Sequence, residues 1–162
     1  MGELRVEPAR PADVDQLVAL DARTFSRSDR YRHGEWVALL GESLADGPAR
    51  ILVARFAAAV VGAIVVAPDL IAEDVKIVSL SVDIAYRRTG LATRLVRDAL
   101  THMPGQVTTV SLEVRVDNDG ARALYEKLGF QLARRVRRYY PDGAPALEYR
   151  APLAVILDRI SP

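Results

Sequence analysis

Arg87-Arg88-Thr89-Gly90-Leu91-Ala92 stands between an apolar run, Val75 to Val82, and a segment whose apolar residues recur at helical spacing. Strand, turn and helix, with a glycine and two arginines at the turn, make a place for an anion. Gly90 lets the backbone come close to a ligand, the first amides of a helix point out of its end, and the arginines add charge. A phosphate-bearing cofactor is the first expectation. Taken alone, such a turn is more often a solvated helix cap, so the rest of the chain has to decide.

Working outward, Ala92, Leu95, Val96, Ala99, Leu100 and Met103 fit one helical face, and Pro104-Gly105 ends it. Val107 to Val114 reads as a strand; Ala121, Leu124, Tyr125 and Leu128 mark a further helix, closed by Gly129. Phe130 to Tyr140 and Ala146 to Leu153 are expected to pair around Pro141-Asp142-Gly143. On the other side of the turn, Ile51 to Phe56 and Val60 to Ala67 form a hairpin pattern around Ala57-Ala58-Ala59. A strand at Leu4 to Glu7 precedes two helices. Pro11 opens the first, with Val14, Leu17, Val18 and Phe25; Trp36, Leu39, Leu40 and Leu44 mark the second, stopped by Gly47-Pro48. The residues up to Pro162 add a short helix. The order β-α-α-β-β-β-α-β-α-β-β predicts a mixed sheet covered by helices, because consecutive strands pair antiparallel while strand-helix-strand units need a crossover.

Composition narrows the function classes. At 162 residues the chain reads as one domain, with a core over about residues 3–153 and a short tail at 154–162. Half of the residues are apolar, 27% are charged and the net charge is +1, so no general affinity for nucleic acid or membrane is implied. Lys76 and Lys127 are the only lysines, and His33 and His102 the only histidines. With no Cys there is no thiolate nucleophile or thiolate metal site, and no metal is expected. Met1-Gly2-Glu3-Leu4-Arg5 has no apolar signal core and Val6 breaks the myristoylation pattern, so a cytoplasmic protein is expected. Nothing selects between monomer and homodimer.

Two stretches resemble a known family. Leu80-Ser81-Val82 followed by Tyr86-Arg87-Arg88-Thr89-Gly90-Leu91-Ala92 resembles the acetyl-CoA signature of the GNAT N-acetyltransferases, Gln/Arg-x-x-Gly-x-Gly/Ala. Leu112-Glu113-Val114-Arg115-Val116-Asp117-Asn118, leading into Ala123-Leu124-Tyr125-Glu126-Lys127-Leu128-Gly129-Phe130, looks like the second half of that fold in its RimI-type, protein N-terminal acetyltransferases. Arg138-Tyr139-Tyr140-Pro141-Asp142-Gly143 continues the likeness, which spans about residues 78–143. It implies an α/β (α+β) GNAT fold: a mixed, mostly antiparallel sheet of about seven strands flanked by about four helices. It also implies that Leu80, Ser81 and Val82 meet the pantetheine arm of acetyl-CoA. Arg87, Arg88, Thr89, Gly90, Leu91, Ala92 and Thr93 would hold the pyrophosphate, and Asn118 the cofactor arm. Glu113 matches the general base and Tyr125 the general acid at the coenzyme sulfur; Tyr139 and Tyr140 would hold a peptide backbone.

The chemistry of each residue type agrees with these roles, and each has a plainer competitor. Aminolysis of a thioester needs a neutral amine, a polarised carbonyl and a proton for the departing thiolate. A strand carboxylate can take the amine proton, a helix tyrosine can supply one, and an amide near Val82 can steady the oxyanion. Yet Glu113, alternating with Leu112 and Val114, also fits a solvent-facing strand position. Tyr125 fits a core stripe, Asn118 a helix cap, and Tyr139-Tyr140 ordinary strand formers. Arg134, Arg135, Arg137 and Arg138 alternate with Ala133 and Val136 as a solvated edge would.

An α-amino group, with a pKa of about 8 against about 10.4 for lysine, is hundreds-fold more often neutral at pH 7, a difference of about 3 kcal/mol. One modest base therefore suits a peptide N-terminus. Three features depart from the RimI-type pattern: Asp117 in place of a Ser, Gly143-Ala144-Pro145-Ala146 in place of an acidic run, and Ser26-Arg27-Ser28-Asp29-Arg30 without an aromatic-proline signature. The expected activity is direct acetyl transfer from acetyl-CoA to a primary amine in a ternary complex, with a protein or peptide N-terminus leading. A small amine such as an antibiotic, polyamine or amino acid is the alternative acceptor. A non-catalytic acyl-CoA-binding module is the alternative of another class.

Overall fold

The computed structural model describes residues 2–27, 29–47 and 49–162; Ser28 of the Ser26–Arg30 segment, and Pro48, expected with Gly47 to stop the second helix, lie outside them. Seven strands form one sheet: β1 (Leu4–Pro8), β2 (Arg50–Phe56), β3 (Ala59–Asp69), β4 (Asp74–Val82), β5 (Thr109–Arg115), β6 (Gln131–Val136) and β7 (Ala146–Pro152). Their order is β1-β2-β3-β4-β5-β7-β6. The β4–β5 pair is parallel and every other neighbouring pair antiparallel. The helices are α1 (Val14–Thr24), α2 (His33–Leu44), α3 (Leu91–Leu100), α4 (Asp119–Leu128) and α5 (Leu153–Ile160). The expected mixed sheet and element order hold, with a fifth α-helix beyond the four the resemblance implied.

The sheet is covered on both faces because its inner strands are apolar on both. Ala63 and Val65 of β3 face Leu17, Leu20, Trp36 and Leu40 of α1 and α2, whereas Ile64 and Val66 belong with α3. Helix α3 buries Leu91, Leu95, Val96, Ala99 and Leu100. It lies so close to β3 that a Cβ on Gly62 would come within 3.1 Å of Leu95 Cδ1. The core does not stop at residue 153, since α5 adds Ile156 and Ile160 to it.

Two boundaries differ from the sequence reading. Helix α3 stops at Leu100 and not at Met103, with the Thr101 hydroxyl donating back to Arg97 O at 2.5 Å. Strand β6 ends at Val136, so Tyr139 and Tyr140 lie in the β6–β7 loop and not in a strand. Arg138 takes a left-handed φ of 50°, which no ladder accommodates, and the amides of Tyr139 and Tyr140 both donate to Ala144 O at 3.1 Å.

The loop between α1 and α2 hangs on a buried acid. Asp21 Oδ2 accepts from Trp36 Nε1 at 3.0 Å and from the Tyr31 amide at 3.2 Å, while Oδ1 has no partner among the described residues. Burial pushes its carboxyl from 3.8 up to about 6. The folded state therefore holds this proton more tightly than the unfolded chain. Its contribution to stability is full below about pH 4 and is lost as pH rises through about 6. Asp21→Asn keeps both acceptor bonds and cannot ionise. Relative to wild type it should be about 2 kcal/mol more stable to unfolding at pH 7 than at pH 4. Denaturant titrations of both proteins from pH 4 to 8 check this; parallel curves would refute it.

Candidate active site

The site begins where two parallel strands part. β4 and β5 pair only from Asp74–Ile77 to Thr109–Leu112, although β4 runs on to Val82 and β5 to Arg115. The parting coincides with a bulge. Val65 opposes Ser79 and Val66 opposes Ile77, which leaves Val78 without a partner and bends β4 at the residue after its last pairing to β5. Past the bend, the Asp83 amide donates to Val61 O at 2.8 Å. By strand alternation Ser81 also turns its backbone to β3, while Leu80 and Val82 turn theirs into the cleft. Ser81 thus turns its amide away from the cleft, and the backbone contacts expected of Leu80 and Val82 fall on the two residues that face it. Val82 O accepts from Arg87 Nε at 3.2 Å, leaving the Val82 amide.

At the end of the cleft lies the Arg87–Ala92 turn. The Arg87 amide is committed to Ile84 O, and the Arg94 amide to Gly90 O. Between them, the amides of residues 88 to 93 have no hydrogen-bond acceptor among the described residues. Arg88 and Gly90 are left-handed, with φ of 60° and 84°, and open space lies where a Cβ on Gly90 would stand. Alternating handedness before a helix N-terminus turns successive N–H groups to one concavity, the geometry that suits a phosphate. The residues present therefore fit a pyrophosphate-bearing cofactor. Arg87 itself contributes only a side chain.

The two chemical candidates lie on opposite sides of β5: Tyr125 belongs to the core cluster of Leu112 and Val114, and Glu113 lies on the other face, its side chain 15% exposed. Its carboxylate is ion-paired with Lys76 Nζ at 2.8 Å and lies close enough to Tyr139 to help raise that phenol. Its cross-strand neighbour Glu148 is buried between Arg134 and Arg150, each at 2.5 Å, and these guanidiniums hold it below the usual carboxylate range. Of this pair of acids, Glu113 is the one not neutralised by two arginines. Tyr125 is buried on α4, edge-on to Phe130 at 5.6 Å, and its hydroxyl donates to no acceptor among the described residues. Burial, with Tyr140 nearby, pushes its phenol well above the ordinary range. Asn118 caps α4 through Oδ1, which accepts from the Ala121 amide at 3.1 Å, leaving its side-chain N–H groups.

A model of the acetyltransferase (GNAT) family matches residues 14–130 of this chain. The chain belongs to the GNAT family. It is 33% identical over 164 residues to the N-alpha-acetyltransferase of Sulfurisphaera tokodaii, covering 93% of this chain and 94% of that protein. It is 47% identical to the N-alpha-acetyltransferase RimI of Mycobacterium tuberculosis over 73 residues, 44% of this chain and 45% of the relative. Among solved structures, Ard1 from Thermoplasma volcanium superposes with a TM-score of 0.80 at 26% identity, covering 92% of this chain and 97% of that one.

Within this GNAT chain, the sequence reading passed over two residues. Lys76 pairs with Glu113 because parallel pairing sets it opposite Ser111. Its one sequence signal is that the chain otherwise uses arginine almost throughout. Arg115 is the second. It reaches Asp29 of the α1–α2 loop at 3.1 Å, Asp142 of the β6–β7 loop at 2.7 Å and Asp117 at 3.2 Å, and it covers the Tyr140 ring at 4.9 Å. One guanidinium thus holds both loops beside Tyr139 and Glu113. Arg115→Ala should raise KM for a peptide acceptor about tenfold while KM for acetyl-CoA changes less than about twofold. Equal effects on both would make Arg115 a general structural residue. The Arg134–Arg138 stripe lies on and just past β6, the exposed sheet edge, as the alternation implied.

Proposed function

We propose that this GNAT chain transfers the acetyl group of acetyl-CoA directly to the α-amino group of a protein or peptide N-terminus, in a cytoplasmic setting. The observation that carries the reading is the parting of β4 and β5 next to the Arg87–Ala92 turn, whose amides at residues 88 to 93 have no acceptor among the described residues, with the Glu113 carboxylate on β5. The curated relatives bear N-alpha-acetyltransferase names, which favours this acceptor over a small amine.

Acetyl-CoA supplies a thioester whose carbonyl takes the amine and whose thiolate leaves. In this reading the amides of residues 88 to 93 bind its pyrophosphate, and Leu80, Val82 and the Asn118 amide group align its arm. Glu113 Oε takes the proton from the incoming amine, and the Val82 amide steadies the carbonyl oxygen. The Tyr125 hydroxyl, kept protonated by burial, returns a proton to sulfur. Tyr139, near Glu113, and Tyr140, under Arg115, line the acceptor side.

Acetyl-CoA is incubated with the protein and a panel of peptides with free N-termini, alongside the same peptides with blocked N-termini and internal lysines, and small amines. Acetyl gain at free N-termini alone is the expected result. Turnover confined to polyamines or amino acids would move the acceptor to that class.

A further inference from the structure

The carboxylate proposed as base is already occupied. Lys76 Nζ lies 2.8 Å from Glu113 Oε1, and the Lys76 side chain is still 41% exposed, so its remaining N–H groups are open to a ligand. Burial pulls the Lys76 ammonium down, but Glu113 outweighs it and the net shift is upward: the residue stays charged. The next carboxylate, Glu148, is taken by Arg134 and Arg150 and offers Lys76 no alternative partner.

An acceptor arriving as an α-ammonium brings a second cation to one carboxylate. A neutral first side chain leaves two positive charges sharing Glu113, and a basic one leaves three. An acidic first side chain restores the balance. In an N-terminal Asp the carboxylate is two bonds from the carbon that bears the amine, so it can take Lys76 while the amine takes Glu113. We infer that Lys76 is a specificity residue that selects peptides beginning with an acidic residue, by exchanging Glu113 for the carboxylate of that first side chain. This rests on the reading of Glu113 and of the peptide acceptor given above.

Peptides identical except for Asp, Asn, Glu, Gln or Lys at the first position are compared by kcat/KM with wild type, Lys76→Arg and Lys76→Gln. Wild type should favour Asp over Asn, and Glu over Gln, by about fivefold, as a half-exposed ion pair allows. Lys76→Arg should keep the preference and Lys76→Gln abolish it. Each ratio is internal to one protein, so a loss of active fraction cancels. Equal rates for Asp and Asn in wild type, or a ratio that survives in Lys76→Gln, would overturn the inference while leaving N-terminal acetylation standing. No turnover of any peptide, with small amines acetylated, would instead sink the peptide reading and the inference with it. If Lys76→Gln fails to fold, the wild-type ratio is followed with added salt. Screening must shrink it towards one, and a salt-indifferent ratio overturns the inference.

Discussion

Glu113→Gln should lower kcat for a peptide N-terminus by about 10²- to 10³-fold, with acetyl-CoA affinity unchanged. The substitution removes a proton acceptor and the charge that pairs with Lys76, and it leaves the shape of the side chain almost unchanged. A glutamine oxygen can still accept from Lys76, and the Arg115 ion pairs that hold the neighbouring loops are untouched. A structural role is separated from a proton-transfer role by changing the acceptor. A peptide whose N-terminal α-amine is replaced by a hydrazide or aminooxy nitrogen presents an acceptor already neutral at working pH, and the deficit of Glu113→Gln should shrink with it. A deficit of equal size for both acceptors would make Glu113 a positioning residue. A kcat within about twofold of wild type would move proton removal to another group or to solvent.

Much of the fold could be read from the chain because each long element carries one clean period. The α3 stripe, the apolar run of β4 and the Arg88–Gly90 turn are local patterns, and they form where the spacing puts them. The parts that could not be read depend on pairing between distant residues. Nothing near Lys76 announces Glu113; only the parallel register of β4 on β5 joins them. Arg115 and Asp29 are 86 residues apart, and their contact exists because two loops fold towards one strand end. Tyr139 and Tyr140 look like strand residues, yet the left-handed turn at Arg138 follows from loop closure on Ala144, not from their own preference. Asp21 was legible and passed over. It lies in step with Val14 and Leu17 on the buried side of α1, and a lone acid on an apolar stripe signals a buried hydrogen-bond anchor.

Tyr125→Phe should lower kcat about 10²-fold while changing acetyl-CoA affinity by less than about twofold. Deleting one oxygen leaves the ring where it is, edge-on to Phe130 and inside the core, so the cleft keeps its shape. The buried phenol is held protonated far above any working pH, so it serves only as a donor; it cannot share the task of Glu113. The two substitutions should then differ in what they respond to. The Glu113→Gln deficit depends on the basicity of the acceptor amine, whereas the Tyr125→Phe deficit should be the same for an ordinary peptide and its hydrazide, because the departing thiolate is common to both. Calorimetric titration with acetyl-CoA and single-turnover rates with the two acceptors measure this. A Tyr125→Phe protein that binds acetyl-CoA much more weakly yet turns over at the wild-type kcat would make the hydroxyl a binding contact. A deficit that disappears with the hydrazide would tie Tyr125 to the amine rather than to the sulfur, and the division of labour across the β4–β5 cleft would have to be redrawn.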